Sequence, residues 1–361
     1  MADTDSEVID ELPPPPQAPR SWVRAILGSA LKFAGVVAIF WFLFSTGRLK
    51  LADLQLLVQR WDLSLMAIAM AIPALLVCTL RYKLLLRALN LTARYRDIVS
   101  LTMIGLFFDL VSPISNGGDL IKVSYLSKAS QVATGKSHLG LMLFSVLLDR
   151  IIGLFALFTF ALIVCVFAWP QISGSPELRK TAQIIVLACI AGLLGFFVLV
   201  SEKLENSALR KRLMHIIPFH ETVERIYLGF AGLRHHKMIL LGMLGLSIVN
   251  HICSCTAILI LAQGMTFTLP GTTTPAILEW VPCLTVLPLG LFATTFGPAG
   301  GLGGGNAAFE FLFQHVLNLS GGAKLILAFQ ICGICYRLLG APIWFFYKVK
   351  DANPTTDPNV K

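Results

Sequence analysis

Residues 137–169 read SHLGLMLFSVLLDRIIGLFALFTFALIVCVFAW, and this stretch decides the class of fold. A transmembrane helix needs about 20 consecutive, mainly apolar residues, and this longer run carries formal charges only at Asp149 and Arg150. Of the 361 residues in the chain, 56% are hydrophobic and 14% are charged, against about 25% charged in a typical soluble domain. These values exclude a soluble globular enzyme and a disordered chain. We expect an all-α polytopic membrane protein.

Eight further apolar runs surround this stretch. The run at residues 98–112 is too short to cross a bilayer at about 1.5 Å per residue, so we expect a re-entrant or broken helix there. The run at residues 137–169 is too long for one upright helix, which favours an interfacial segment followed by a span. With that span, seven more runs give about eight transmembrane helices: residues 26–46, 63–80, 182–200, 238–262, 276–296, 300–319 and 325–347.

The basic residues predict the orientation of these helices. The segments at residues 81–97 and 201–237 are rich in Lys and Arg and are expected to be cytoplasmic, whereas the uncharged loop at residues 263–275 is expected outside. The formal net charge of +9 therefore reflects topology and attraction to anionic lipids, and we expect no nucleic-acid partner. The prediction is a multi-pass protein of the plasma (inner) membrane with both termini cytoplasmic. Its parts are a disordered, Pro-rich tail (1–24), a transmembrane domain (25–350) and a second cytoplasmic tail (351–361).

Two breaks interrupt the apolar pattern at membrane depth. They read FDLVSPISNGGD at residues 108–119 and FGPAGGLGGGN at residues 296–306. Non-helical backbone at this depth must be buried in protein or line a wet cavity, and transporters use such broken helices to bind their substrates. The breaks resemble each other at an offset of 185 residues, because a Leu-Phe pair precedes each proline and a glycine follows it at the same spacing. Either the halves are repeats, in the same or in inverted orientation, that meet at a central site, or the breaks are two glycine-rich loops.

Several charged residues lie inside the apolar runs, where they are costly and should pair. We expect Arg337 to pair with Glu310, and Arg150 to pair with Asp119 or Asp149. These pairs either hold the bundle together or present cations to an anionic headgroup. The adjacent residues Asn250 and His251 are expected to form interhelical hydrogen bonds.

At these residues the chain resembles a known family. Residues 112–119 (SPISNGGD) followed by Lys122, residues 148–154 (LDRIIGL), and residues 297–309 (GPAGGLGGGNAAF) followed by Arg337 resemble the lysylphosphatidylglycerol synthase transmembrane-domain family, also called flippase-like integral membrane proteins. The family usually carries Glu where this chain has Asp119 and Asn306. Glu310, one helical turn after Asn306, could compensate.

The resemblance implies a stand-alone member, without the aminoacyltransferase domain, that translocates a phospholipid or a related lipid through a polar cleft between broken helices. The expected partner is a membrane lipid with an anionic or aminoacylated headgroup. The alternative is a membrane subunit or a transferase of a lipid, hopanoid or glycolipid pathway, acting with partner proteins. No catalytic motif is present, and we expect no cofactor and no metal site. The candidate substrate-binding residues are Asn116, Gly117, Gly118, Asp119, Lys122, Asp149, Arg150, Gly301, Gly303, Asn306, Glu310 and Arg337.

Overall fold

The computed structural model describes most of the apolar region of the chain. The predicted tails, the first apolar run at residues 26–46 and most of the basic segment at 201–237 lie outside the described residues. The candidate residues Asn116, Gly301 and Gly303 lie outside them as well. The described ranges are residues 58–91, 93–110, 117–134, 139–174, 176–200, 236–295 and 304–347.

Helices make up nearly all of the described structure, as the apolar runs predict. In the first half of the chain, long apolar stretches free of internal glycine–proline clusters form the longest helices. Numbered in chain order, the described helices of this half are α1 (Trp61–Ala69), α2 (Ala71–Ala88), α3 (Tyr95–Phe108), α4 (Gly118–Thr134), α5 (Leu139–Phe167), α6 (Trp169–Ile172) and α7 (Pro176–Val200).

The second half adds five helices and a short antiparallel hairpin of two strands. The hairpin occupies the uncharged loop that was expected outside, and backbone hydrogen bonds between Thr268 and Ser320 join it to the chain before the last long helix. We call the end of the protein that carries this hairpin the hairpin end. The elements are α8 (Lys237–Ala262), β1 (Phe267–Thr268), β2 (Pro275–Ala276), α9 (Trp280–Thr295), α10 (Gly304–Val316), α11 (Gly322–Leu338) and α12 (Gly340–Phe346).

Among the described residues, four helical stretches are long and apolar enough to cross a bilayer: Trp61–Ala88, Leu139–Phe167, Lys237–Ala262 and Gly322–Phe346. They confirm a multi-pass helical membrane protein. The expected division of residues 137–169 is wrong, because α5 is one uninterrupted helix of 29 residues. Such a helix is about 43 Å long, which is more than the thickness of the hydrocarbon core of a bilayer. The excess length favours a tilted helix.

The shorter helices form two helical hairpins. Helix α3 begins beside Tyr347, which donates a hydrogen bond to Asp97, and its last turn packs Phe107 against Ile331 near the middle of α11. Its 14 residues cover only about 21 Å, and α4 packs back along it, so the C-terminal end of α3 lies inside the protein. The re-entrant helix expected for residues 98–112 stays a prediction, because residues 111–116, where the chain would turn back, lie outside the described residues.

Helices α9 and α10 form a second hairpin that enters from the hairpin end. Helix α9 starts next to β2 and runs inward, while α10 packs against it and returns toward Ser320. Their lengths of 16 and 13 residues correspond to about 24 and 20 Å, less than the 30 Å hydrocarbon core. The two runs that were expected to be separate spans are therefore helices shorter than a bilayer core.

Glycines let the helices of each hairpin approach closely. Gly118 is buried against the carbonyl oxygen of Gly105, and a methyl group on Gly105 would lie 2.9 Å from the carbonyl oxygen of Gly118. In the second hairpin, a methyl group on Gly290 would lie 2.6 Å from the ring of Phe309. A larger residue at these positions would force the helices apart.

Candidate functional site

A buried ion pair joins α2 to α5. The guanidinium of Arg81 donates to both carboxylate oxygens of Asp149, at 2.8 Å from Nε and 2.7 Å from one terminal nitrogen. Its other terminal nitrogen donates to Ser247 of α8 at 2.8 Å. The two charged side chains are only 7% and 13% exposed, so three helices share one bidentate, charge-assisted pair.

A second cluster joins α4 to α5 through one carboxylate. Asp119 accepts from Lys122, one turn along α4, at 3.1 Å, and from Arg150 of α5. The Lys122 ammonium also lies 4.0 Å from the ring centroid of Tyr82 in α2, a cation–π geometry. The expected pairing of Arg150 with Asp119 is confirmed. Two cations thus share one carboxylate, and Arg150 stays 39% exposed while Lys122 is buried.

A third carboxylate caps the inner helix of the first hairpin. Asp109, just after α3, accepts the backbone N–H of Gly118 at 2.6 Å, where α4 begins. The positive charges of Arg150 and of Arg337 in α11 also interact electrostatically with the Asp109 carboxylate. Asp109 therefore lies within electrostatic range of cations from two other helices.

These groups occupy one level of the bundle, far from the hairpin end. Asp149 lies about 15 Å along α5 from Leu139, and Ser247 lies about 15 Å along α8 from Lys237. Arg81 of α2 and Lys122 of α4 lie at the same level. We call Arg81, Asp119, Lys122, Asp149 and Arg150 the charge network.

Two sequence assignments need correction here. Arg81 was assigned to a basic cytoplasmic segment, but it lies within α2 and is buried. It pairs with Asp149, which had been considered as a partner for Arg150. The sequence did contain a signal that Arg81 belongs to the preceding helix, because no turn residue separates it from Leu80. In the structure this helix continues to Ala88. Tyr82, Ser145 and Ser247 were also missed.

Glu310 does not pair with Arg337. Its carboxylate accepts the backbone N–H of Ala323 at 2.8 Å, that of Gly321 at 3.3 Å and the side chain of Gln314 at 2.9 Å. It therefore caps the start of α11 from the neighbouring helix α10, where an acidic group also meets the positive end of the helix dipole. Arg337 lies about 22 Å further along α11, too far to reach it.

The remaining candidates are placed as follows. The Nε of Arg337 and the Oδ1 of Asn306 are buried, and neither atom has a hydrogen-bond partner among the described residues. Asn306 lies inside α10 and does not cap it. Gly117 lies directly before α4, and its carbonyl oxygen accepts the N–H of Leu120. His251 makes the expected interhelical bond, to the carbonyl oxygen of Gly153 at 3.1 Å.

A comparison with protein families now adds to this geometry. Residues 27–340 match the family described as the lysylphosphatidylglycerol synthase TM region. The chain belongs to this family. The match covers three of the four long apolar stretches completely and the fourth as far as residue 340, together with the charge network and both hairpins of short helices. It makes the chain an integral membrane protein linked to lipid handling. A comparison with curated proteins gave no match.

Proposed function

We propose that this lysylphosphatidylglycerol synthase TM family member translocates a phospholipid or a related lipid across the plasma (inner) membrane. The headgroup would pass through a polar cleft at the tips of the two short-helix hairpins, while the acyl chains stay in the bilayer. The observation that carries the proposal is the charge network, in which Arg150 and Lys122 share one carboxylate and Arg150 remains partly exposed.

The balance of charges around the first hairpin favours an anionic headgroup. In the described part of the chain, four cations (Arg81, Lys122, Arg150 and Arg337) lie near three carboxylates, those of Asp109, Asp119 and Asp149. A charge in the middle of a bilayer costs about 2.5–3.5 kcal/mol even on the mild insertion scale, so four cations at one level need compensation. A lipid phosphate would supply the missing negative charge, and guanidinium groups bind phosphate with two parallel hydrogen bonds.

The arrangement of the hairpins supports access from both sides. The hairpin of α3 and α4 and the hairpin of α9 and α10 enter from opposite ends and end inside the protein, as inverted repeats would. At the sequence offset of 185 residues, Gly105 matches Gly290, and each lies against the second helix of its own hairpin. Two such hairpins around one polar level provide a passage that can open alternately to either side.

The candidate residues take different roles in this proposal. Arg150, Lys122 and Arg337 would contact the phosphate, and Asp119 would orient the first two of them. Gly117 and Gly118 would let the backbone approach the headgroup, as would Gly301 and Gly303 at the second break, while Asn116 and Asn306 would offer hydrogen bonds. Asp149 would position Arg81.

Reconstitution tests the proposal. Purified protein in liposomes with fluorescent phosphatidylglycerol should make the inner-leaflet label accessible to an external quencher, and mass spectrometry should find the lipid unchanged. Arg150→Ala and Arg337→Ala should each slow this movement at least tenfold. Arg60→Ala is the matched control, because Arg60 forms an exposed ion pair with Asp62 outside the network and its loss should change nothing.

The outcomes separate the alternatives. Lipid that stays in its leaflet with correctly folded wild-type protein would overturn autonomous transport and favour a subunit that acts with partner proteins. A chemically altered lipid would favour a transferase. Equal loss of movement in Arg60→Ala and Arg150→Ala would refute the placement of the cleft.

A further inference from the structure

A basic surface lies at the end of the bundle opposite the hairpin end. It surrounds the turn that joins α2 to α3 and includes the neighbouring part of α4. Arg87 lies in the last turn of α2, and Arg96 is the second residue of α3. The five side chains of this surface, which we call the basic surface, are all exposed: Lys83, Arg87, Arg94, Arg96 and Lys128.

The contacts of Tyr347 place Lys128 of α4 beside the start of α3. Tyr347 donates a hydrogen bond to Asp97 of α3 and packs against the ring of Tyr125 of α4, with a centroid distance of 6.0 Å. Lys128 follows Tyr125 by three residues, about one helical turn. The Lys83 ammonium of α2 lies 5.8 Å from the centroid of the tyrosine ring at the start of α3. The cations therefore belong to one surface at the end of three helices.

The basic surface has little negative charge of its own. Residues 63–108 contain a single acidic residue, Asp97. Within the described part of the chain, four members of the surface form no ion pair: Lys83, Arg87, Arg96 and Lys128. Because neighbouring like charges repel one another, a partner that carries several negative charges would stabilise this end of the protein.

Residues 3–11 of the same chain carry the complementary charge. This stretch, DTDSEVIDE, has five carboxylates and neither Lys nor Arg, and we call it the acidic segment. Residues 12–25 connect it to the first apolar run and include four consecutive prolines. A Pro-rich connection extends about 3.1 Å per residue, so these 14 residues reach about 43 Å. Since packed helices lie about 8–10 Å apart, this reach is enough to cross the end of the bundle.

The path of the chain brings the acidic segment to the end that carries the basic surface. Helix α1 begins at the hairpin end, because a methyl group on Gly264, just after α8, would lie 2.8 Å from the side chain of Leu63. The first apolar run, residues 26–46, precedes α1 and is expected to cross the bilayer once. The residues before this run are therefore expected at the opposite end, where α2 ends and α3 begins.

We propose that the acidic segment binds the basic surface of its own chain. One exposed ion pair contributes little, but five carboxylates opposite five cations act together. The covalent connection also holds the segment near the surface at a high effective concentration, which a separate anion lacks. The headgroups of an anionic leaflet are the competing partner for the same cations. This inference is independent of the proposed function, since the charge network takes no part in it.

Carbodiimide crosslinking of the purified full chain in phosphatidylcholine nanodiscs tests this inference. The reagent joins a carboxylate directly to a lysine amine when the two are in contact, and mass spectrometry identifies the linked peptides. We expect links from the acidic segment to Lys83 and Lys128, and none to Lys324, an exposed lysine in the first turn of α11 at the hairpin end. Raising the salt concentration from about 0.01 M to about 1 M shortens the Debye length from about 30 Å to about 3 Å and should lower the yield of these links at least about fivefold.

Charge reversal on the basic surface supplies the second arm of the test. The double variant Arg87→Glu, Arg96→Glu should lower the yield at Lys83 and Lys128 at least about tenfold, because each change replaces an attraction by a repulsion. The matched control is Arg179→Glu, Lys180→Glu, which reverses two exposed cations near the start of α7 and should leave the yield unchanged.

Several outcomes would overturn the inference. Links to Lys324 as frequent as those to Lys83, or a yield that neither salt nor charge reversal changes, would show that the acidic segment does not bind the basic surface. Loss of the links when phosphatidylglycerol is added to the nanodiscs would assign the surface to the anionic leaflet instead. In a mixture of isotopically light and heavy protein, links between a light and a heavy peptide would show that the segment binds a second copy and not its own chain.

Discussion

Asp149→Asn is the change that most directly tests the charge network. It keeps the size of the side chain and removes the charge that neutralises Arg81 in the interior of the bundle. The guanidinium is 7% exposed and keeps only its bond to Ser247 at 2.8 Å and a weak contact with the sulfur of Cys78 at 3.7 Å. Breaking a buried pair by removing one partner costs about 3–5 kcal/mol, and we expect a loss of this size in the free energy of unfolding.

The assay is reversible unfolding of the purified protein in mixed micelles as the fraction of denaturing detergent rises. The double variant Arg81→Met, Asp149→Leu should recover most of the stability, because replacing both partners of a buried pair with apolar groups of similar size is close to neutral. The exposed pair of Arg60 and Asp62 supplies the comparison, and Asp62→Asn should cost less than about 1 kcal/mol.

Two results would refute the reasoning. A loss below about 1 kcal/mol for Asp149→Asn would mean that water or other groups solvate Arg81 as they do a surface ion pair. A double variant as unstable as the single one would mean that packing around these positions, and not the uncompensated charge, carries the cost.

Three further predictions concern the hairpins and the end of the last helix. Gly118→Ala places a methyl group against the backbone of α3 and should lower the free energy of unfolding by about 1–3 kcal/mol in the same assay. Gly140→Ala is the control, because its methyl group would face open space and should not destabilise the protein. Glu310→Ala removes the acceptor of two backbone N–H groups at the start of α11, those of Gly321 and Ala323, and of the Gln314 amide in α10. It should lower the free energy of unfolding by at least about 2 kcal/mol in the same assay. Burial, with a smaller contribution from the carboxylate of Asp97, raises the pKa of Tyr347 to about 12, so Asp97→Asn should lower that pKa in an ultraviolet titration; an unchanged value would rule out the Asp97 contribution.

The apolar runs and the two breaks could be read from the sequence because they depend on local properties. An apolar run longer than 20 residues has no stable place outside a membrane or a very large core, and proline and glycine end helices wherever they cluster. The pairing of Arg150 with Asp119 was also predictable, since each charge lay inside an apolar region that offered few partners.

The pairings across the bundle could not be read in the same way. Arg81 and Asp149 are separated by 68 positions, and the sequence does not say which face of α2 meets α5. Glu310 had an equally plausible partner in Arg337, and only the packing of α10 against the start of α11 sends its carboxylate to the backbone of Ala323.

The sequence by itself therefore determined that this is a helical membrane protein, where its apolar pattern is interrupted and which family it resembles. These properties can be read from the sequence because hydrophobicity and backbone preference act within a few residues. The tertiary structure alone decided which charges meet and that the two short-helix hairpins begin at opposite ends of the bundle. The physical reason is that a helix period fixes which residues share a face, while the partner of that face depends on how distant helices pack.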